Sequence, residues 1–510
     1  MASPVADAYI APSGVPVNGG RYALGGRLFG EAAMSAVLAS GDMSAQPSDL
    51  AGAAVLSSVT TSGSMQGIEW PDDMLDLLVA APSESWVQVS ANRFDAVWPP
   101  SDYRAPFGLG ISSPKPILIA WSSFAWDDTQ CRLILWGGGH ANTNDNSVYQ
   151  WDALTRQWSL AFWPSDTVVV TGGPGIEPVD GPLNAPQSSH TYGGQQWLPI
   201  LQRFVTFGGA ASSSGGPFKV RGSPDRNLGC YTLDMSLANL GYVGGTTGSN
   251  PHRGTSVGVD LPGAQAWYAR DWYLDHPAKD TSALNTWAVR TNNVSAYRVE
   301  GGKDVVYFKC GASHLYRIQF NSHDYLDDQI TWVGQAWDSG ANKLGGDIDT
   351  TANLFVCLIN GAFPISGWNL NTPATTNRNF RVTAANLGGP DAAEFLAQMV
   401  SEDAFGLLFD PAKDYFVAWS RGGRLYALRR PTDMSNLTLG WTVTKICTDA
   451  ASPRPRTLTE LQADGTLPGD SGVGGKWKMS SKLGVYIGLQ DTNAGQIWCY
   501  KPLGWTDPRS

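Results

Sequence analysis

Charge is scarce in this chain: Asp, Glu, Lys and Arg together make up 16% of 510 residues, and what there is sums to −10. No block of Lys or Arg interrupts that acidic balance, which argues against sequence-independent phosphate binding and gives no attraction to anionic lipid. Long apolar runs are also missing. No stretch approaches the roughly 18 residues of a membrane span, so none is expected. The opening residues, MASPVADAYIAPSG, have neither a basic n-region nor an apolar h-region. Residues 32–39 are apolar but short and preceded by Glu31, so no export signal is read. Paired cysteines are absent too. Cys131, Cys230, Cys310, Cys357, Cys447 and Cys499 lie far apart, which leaves no zinc knuckle and no CxxC dithiol. Most fall in or beside expected strands, where buried free thiols are the expectation, as suits assembly in a reducing cytoplasm.

What the chain has instead is glycine (58) and tryptophan (21). That is the profile of many short sheets joined by tight turns. Residues 133–158, LILWGGGHANTNDNSVYQWDALTRQW, show the unit most clearly. An apolar run (133–136) meets Gly137, Gly138 and Gly139, a polar loop follows to Asn146, residues 148–151 form a second strand, and Trp158 opens a third. A chain leaving a tightly packed strand needs positive φ or close backbone approach, which a Cβ would obstruct. Trp158 is placed to lay its indole over a neighbouring sheet.

Similar units recur. Residues 190–209 end in Gly208 and Gly209, with residues 230–233 as the partner strand. A third, irregular region holds Trp-rich residues 266–274 and 285–289 and strands near 305–310, 314–320 and 330–333. A fourth spans 347–370, and a fifth spans 405–441 with Gly422 and Gly423. A sixth spans 477–500. Six units is the best count, and the third region allows seven. The last unit lacks a fourth strand, so residues 86–90 (WVQVS) are expected to pair with it and close the ring, removing two exposed edges. Residues 391–400 have the spacing of a short helix. Residues 1–85 differ in texture and carry a single Trp, with possible helices at 28–40 and 72–81, the latter bounded by Pro71 and Pro82. A segment of this kind is expected to order itself against another subunit or protein.

The order of apolar strand, Gly-Gly, spacer, aromatic strand and trailing Trp resembles the kelch repeat, the blade unit of one class of β-propeller. Residues 120–151 are also similar to kelch-type proteins of tailed bacteriophages and prophages. The resemblance implies an all-β protein: a six- or seven-bladed kelch-like β-propeller over residues 86–510, with an extended, partly helical N-terminal assembly arm over residues 1–85.

Several groups invite a chemical role. His140 and His190 sit beside glycine turns, where hydrogen bonding to backbone is the simpler expectation. Asn142, Asn144, Asp145 and Asn146 offer oxygen ligands but only one carboxylate, so a polar hairpin loop is expected rather than a calcium site. Asp347 with Asp349, and Asp324 with Asp327 and Asp328, are expected as solvated turns. Kelch propellers include copper radical oxidases, but no residues here match that copper set. In Cys230-Tyr231 and Cys499-Tyr500, strand neighbours point to opposite faces, which is the wrong geometry for a crosslink. No paired carboxylates nominate a glycosidase. The remaining candidates are aromatic: Trp267, Trp272, Tyr273 and Trp287 near Asp271, Asp275 and His276. Such a group can stack on sugar or pack one blade on the next. Trp267, Trp272, Tyr273, Asp275 and His276 form the candidate binding set, and no catalytic residue, metal or cofactor is expected.

The expectation is a non-enzymatic structural protein of a phage virion, most directly a tail component, assembled in the host cytoplasm. Its partners would be other tail proteins and copies of itself, as a trimer or hexamer. The rival expectations are a receptor- or glycan-binding tail protein acting on a host surface, and a carbohydrate-active or copper enzyme.

Overall fold

The computed structural model describes residues 21–24, 27–30, 70–100, 114–139, 142–170, 175–211, 215–222, 225–246, 261–279, 292–310, 314–333, 345–359, 362–373, 378–401, 405–450, 452–463, 472–490 and 492–510. The chain forms two compact units, 1–70 and 71–510. In the first, Arg21–Leu24 and Arg27–Gly30 pair as an antiparallel hairpin. Residues 28–30, expected to begin a helix, are therefore strand. The signal overlooked is the Gly-Gly pair at 25 and 26, the composition of a two-residue hairpin turn. The rest of the 28–40 segment lies outside the described residues.

The second unit is a six-bladed β-propeller, each blade an antiparallel meander. Blade one is Phe124–Asp127, Arg132–Trp136, Val148–Asp152 and Gln157–Phe162. Blade two is Gln195–Leu198, Arg203–Thr206, Cys230–Leu233 and Trp267–Arg270. Blade three is Val294–Glu300, Lys303–Cys310, His314–Phe320 and Gln329–Trp332. Blade four is Gly345–Asp349, Leu354–Leu358, Ile365–Asn369 and Asn379–Val382. Blade five is Gly406–Asp410, Tyr415–Trp419, Leu425–Arg429 and Trp441–Cys447, with Leu387–Gly388 added in parallel at its outer edge. The first strand of each blade lines the axis.

Second strands such as LFVCL (354–358) and YFVAW (415–419) are apolar throughout because both faces are covered by neighbouring blades. Alternate residues of one strand serve opposite cores. Phe416 and Ala418 pack toward Leu354 and Val356 of blade four, while Val417 and Trp419 pack with Trp477 and Tyr486 of blade six. The helix Ala392–Ser401 adds Phe395 and Met399 to the core between blades four and five.

Blade six is Trp477–Ser480, Val485–Leu489 and Ile497–Lys501, and its fourth strand is Ser85–Gln88. Trp86 lies opposite Tyr500 and Gln88 opposite Trp498. The ring is thus closed from the N-terminal side, as the sequence predicts. The preceding helix, Asp72–Ala80, buries Met74, Leu75 and Leu78. Its carbonyl end is held by Lys501, whose Nζ donates to Leu78 O and Ala81 O at 2.7 Å each. This helix belongs to the same unit as the propeller, which begins at Pro71.

The glycines of residues 137–139 do what their chemistry requires. Gly137 and Gly138 have φ of 119° and 102°. A Cβ on Gly137 would stand 2.7 Å from Ser189 O, and one on Gly139 would stand 2.6 Å from the same backbone at Ser188. Trp158 donates its indole N–H to Gly495 O of blade six at 2.8 Å. One correction concerns the irregular region: Trp267–Arg270 is the outer strand of blade two and not part of the third unit. The count is six, the number the sequence favours.

Candidate functional site at the axial cavity

The six inner strands surround a tapered channel. Where they begin, Gly193, Gly345, Gly346, Gly474 and Gly475 crowd the axis and leave a void of about 10 Å³, the room of one water. Side chains are excluded there, since a Cβ on Gly345 would fall 2.0 Å from Phe405 O. Where the strands end, the channel opens into a cavity of about 360 Å³ to which all six blades contribute.

Four aromatic residues line part of its wall, Trp126, Trp197, Tyr297 and Phe409, of which Trp126, Trp197 and Phe409 are otherwise buried at 8%, 7% and 5% exposure. Trp126, Trp197 and Phe409 each stand one residue from the end of an inner strand, and Tyr297 stands at the middle of the longer inner strand of blade three. Most polar groups of the wall are committed to the fold. Asp128 accepts from Trp126 Nε1 at 2.9 Å, from Ser480 Oγ at 2.5 Å and from Lys482 N at 2.9 Å. Gln196 Nε2 donates to Ser295 O at 2.9 Å, fastening blade two to blade three. The Tyr297 hydroxyl donates to Asp304 at 2.8 Å, and burial with that carboxylate pushes its pKa far above the ordinary range.

Asp347 and Lys478 are different. The Asp347 carboxylate is aimed by two backbone N–H groups, Ile348 N on Oδ1 and Phe409 N on Oδ2, both at 2.8 Å. Burial pushes it up, and the Lys478 charge opposes that rise. Burial pushes Lys478 down, opposed by Asp347. No direct ion pair joins them among the described residues, so each carries a desolvation cost that the other offsets only across a gap.

Asp347 was expected in a solvated turn and instead belongs to the inner strand of blade four. Asp349 is buried, accepts the N–H groups of Thr351 and Ala352, and pairs with Arg430 at 3.0 Å. Asp328 is also buried: it takes two hydrogen bonds from Arg270, at 2.8 and 2.9 Å, and one from Trp272 Nε1 at 2.9 Å. Of the acidic loop at 324–328, Asp324 conforms, capping a short turn by accepting from Leu326 N.

The five aromatic and polar candidates do not converge on one face. Trp267 is buried between blades one and two, against Trp136 at 5.7 Å. Trp272 is buried between blades two and three. His276 is buried, its Nε2 2.8 Å from Asp328 O and its Nδ1 accepting from Ala278 N. Tyr273 is half-buried and Asp275 exposed. Trp287 lies outside the described residues. A ring with both faces covered cannot stack on a ligand, so in this conformation Trp267 and Trp272 are packing groups. His190 is buried at the opposite end of the channel, 2.7 Å from Asn142 Oδ1 and beside Trp121. His140 lies outside the described residues. Cys230 and Tyr231 face different interblade cores, in keeping with strand alternation.

Sequence reasoning missed Trp126, Trp197, Asp347 and Lys478. The available signal was positional: an aromatic or charged residue one to three places before the first turn of a blade points at the axis.

No protein-family model and no curated protein matches the sequence. Solved structures match at low identity and low TM-score. A candidate 6-phosphogluconolactonase from Bacteroides uniformis is 10% identical over 73% of this chain and 82% of its own, with a TM-score of 0.32. The WD40 domain of SCAP from fission yeast is 8% identical over 68% and 56%, with a TM-score of 0.29. A duf4221-family protein from Bacteroides vulgatus is 7% identical over 82% and 98%, with a TM-score of 0.31. Among the described residues no helix is long and apolar enough to cross a membrane.

Proposed function

We propose that the chain is a structural component of a tailed-phage virion, most directly of the tail. The propeller packs in a symmetric homo-oligomer, and the segment before it docks on a neighbouring virion protein. The observation that carries this reading is the division of labour along the chain. Ser85–Gln88 completes blade six, so the disc is closed without residues 1–70, which form a compact unit of their own. In a closed disc no blade is left incomplete and only the short outer blade edges remain, so assembly is assigned to its loops and to the N-terminal unit. The kelch-like order of residues 133–158 and the phage-like stretch 120–151 support the assignment to a virion.

The test is particle assembly with a chain lacking residues 1–70. The expected outcome is a soluble, folded propeller absent from purified particles; truncated chain found in particles at the normal copy number would refute the docking role. A second reading, a tail protein that binds a host-surface glycan, is favoured by one feature, the axial cavity that Asp347 and Lys478 line.

A further inference from the structure

Two charged side chains in the axial cavity are left over by the fold. Asp347 has each carboxylate oxygen taking a single backbone N–H, which fixes its direction and leaves lone pairs open. The Lys478 ammonium makes no hydrogen bond or ion pair within the fold among the described residues. The neighbouring polar groups at Asp128, Gln196 and Tyr297 are tied to structural partners. An acceptor and a donor therefore face the same space without touching, at the wide end of a channel whose other end admits about one water.

We propose that this cavity binds a neutral saccharide unit, with hydroxyls donating to Asp347 and accepting from Lys478 and with C–H groups against the small part of Trp126, Trp197 and Phe409 that reaches the cavity, 5–8% of each residue's surface. An anion would satisfy Lys478 and be repelled by Asp347, and a cation would meet the reverse. A hydroxyl both donates and accepts, so a polyhydroxylated ring meets both groups without adding charge. A small zwitterion would also meet both charges, which makes glycine the discriminating control. The volume, about 360 Å³, falls within the roughly 300–1,000 Å³ of small-molecule sites. Opposite charges held apart on a half-buried wall carry a partly compensated desolvation cost, which a ligand that hydrogen-bonds both would relieve. The inference is independent of the virion reading, since the same cavity would exist in a propeller that never entered a particle.

Calorimetric titration of the full chain with a panel of neutral mono- and disaccharides tests it, with glycine and acetate as control ligands. The expected result is saturable binding of at least one sugar, weakened about tenfold or more in Asp347→Asn and in Lys478→Met, with no competition from the controls. Each single variant leaves one charge without its counterpart. The double variant Asp347→Asn with Lys478→Met removes both, and is expected to unfold at the wild-type temperature or above while binding no sugar. Absence of saturable sugar binding by the intact chain, wild-type affinity in the double variant, or displacement of the sugar by glycine would each overturn the assignment.

Discussion

Trp86 donates its indole N–H to Gly423 O at 2.9 Å, joining residues 337 positions apart. The donor lies on the strand that closes blade six, and the acceptor lies in a loop of blade five. The Trp86 ring is buried against Trp419 at 5.4 Å, Trp477 at 5.7 Å and Tyr500 at 5.4 Å. Trp86→Ala removes this whole contact set at the ring's closing point. Urea unfolding is expected to show a loss of about 3–5 kcal/mol, the range for emptying a buried aromatic site. A loss below about 1 kcal/mol would mean that the ring closes without it.

Gly137 tests the glycine argument. Its φ of 119° is outside the range open to side-chain-bearing residues, and Ser189 O is 2.7 Å from where a Cβ would stand. Gly137→Ala is expected to cost about 1–3 kcal/mol from backbone strain alone, measured by thermal unfolding. Gly181 also has positive φ but open space around it, so Gly181→Ala is expected to cost less.

Arg270 and Asp328 form a fully buried, two-point ion pair between blades two and three. Arg270→Met is expected to destabilise the protein by about 3–5 kcal/mol, because it strands the carboxylate. Replacing both partners with apolar residues of matching volume is expected to recover much of that loss. Trp272→Ala belongs to the same experiment: it is expected to lower stability by about 3–5 kcal/mol and so to affect any binding through unfolding, whereas Tyr273→Ala, at a half-buried position against the same core, is expected to cost less.

The thiols make a pH prediction. Burial pushes Cys131 up to about 11 and Cys357 up to about 12, from an ordinary 9.0. Because the folded state holds these protons more tightly than the unfolded chain, their contribution to stability is complete below pH 9.0 and is lost as pH rises toward 11–12. Unfolding midpoints are expected to fall steeply across that alkaline window, and Cys357→Ser to flatten the fall. In native protein at neutral pH neither thiol should react with iodoacetamide, and both should react in denaturant.

Much of this architecture was legible in the sequence, because the second and third strands of a blade are covered on both faces and read as unbroken apolar runs, as in residues 133–136 and 415–419. The closing strand was legible from a deficit, the missing fourth strand after Tyr500. What escaped were strands with one face toward the axis or solvent. Val294–Glu300 reads VSAYRVE, its Ser, Arg and Glu obscuring an inner strand, and Asn379–Val382 at the rim of blade four is only half apolar. The candidate site was hidden for the same reason. Asp347 and Lys478 are 131 positions apart and face one cavity only in the folded ring, whereas Trp267 and Trp272 stood out by density and turned out to be packing. Density of aromatic residues reports burial; position relative to the axis reports access.

The account rests on a closed disc whose association is directed by residues outside it. Mass photometry of the full chain beside a chain of residues 71–510 tests this most directly. A discrete oligomer for the full chain and a folded monomer for the shorter one is the predicted result. The same oligomer from both chains would contradict it.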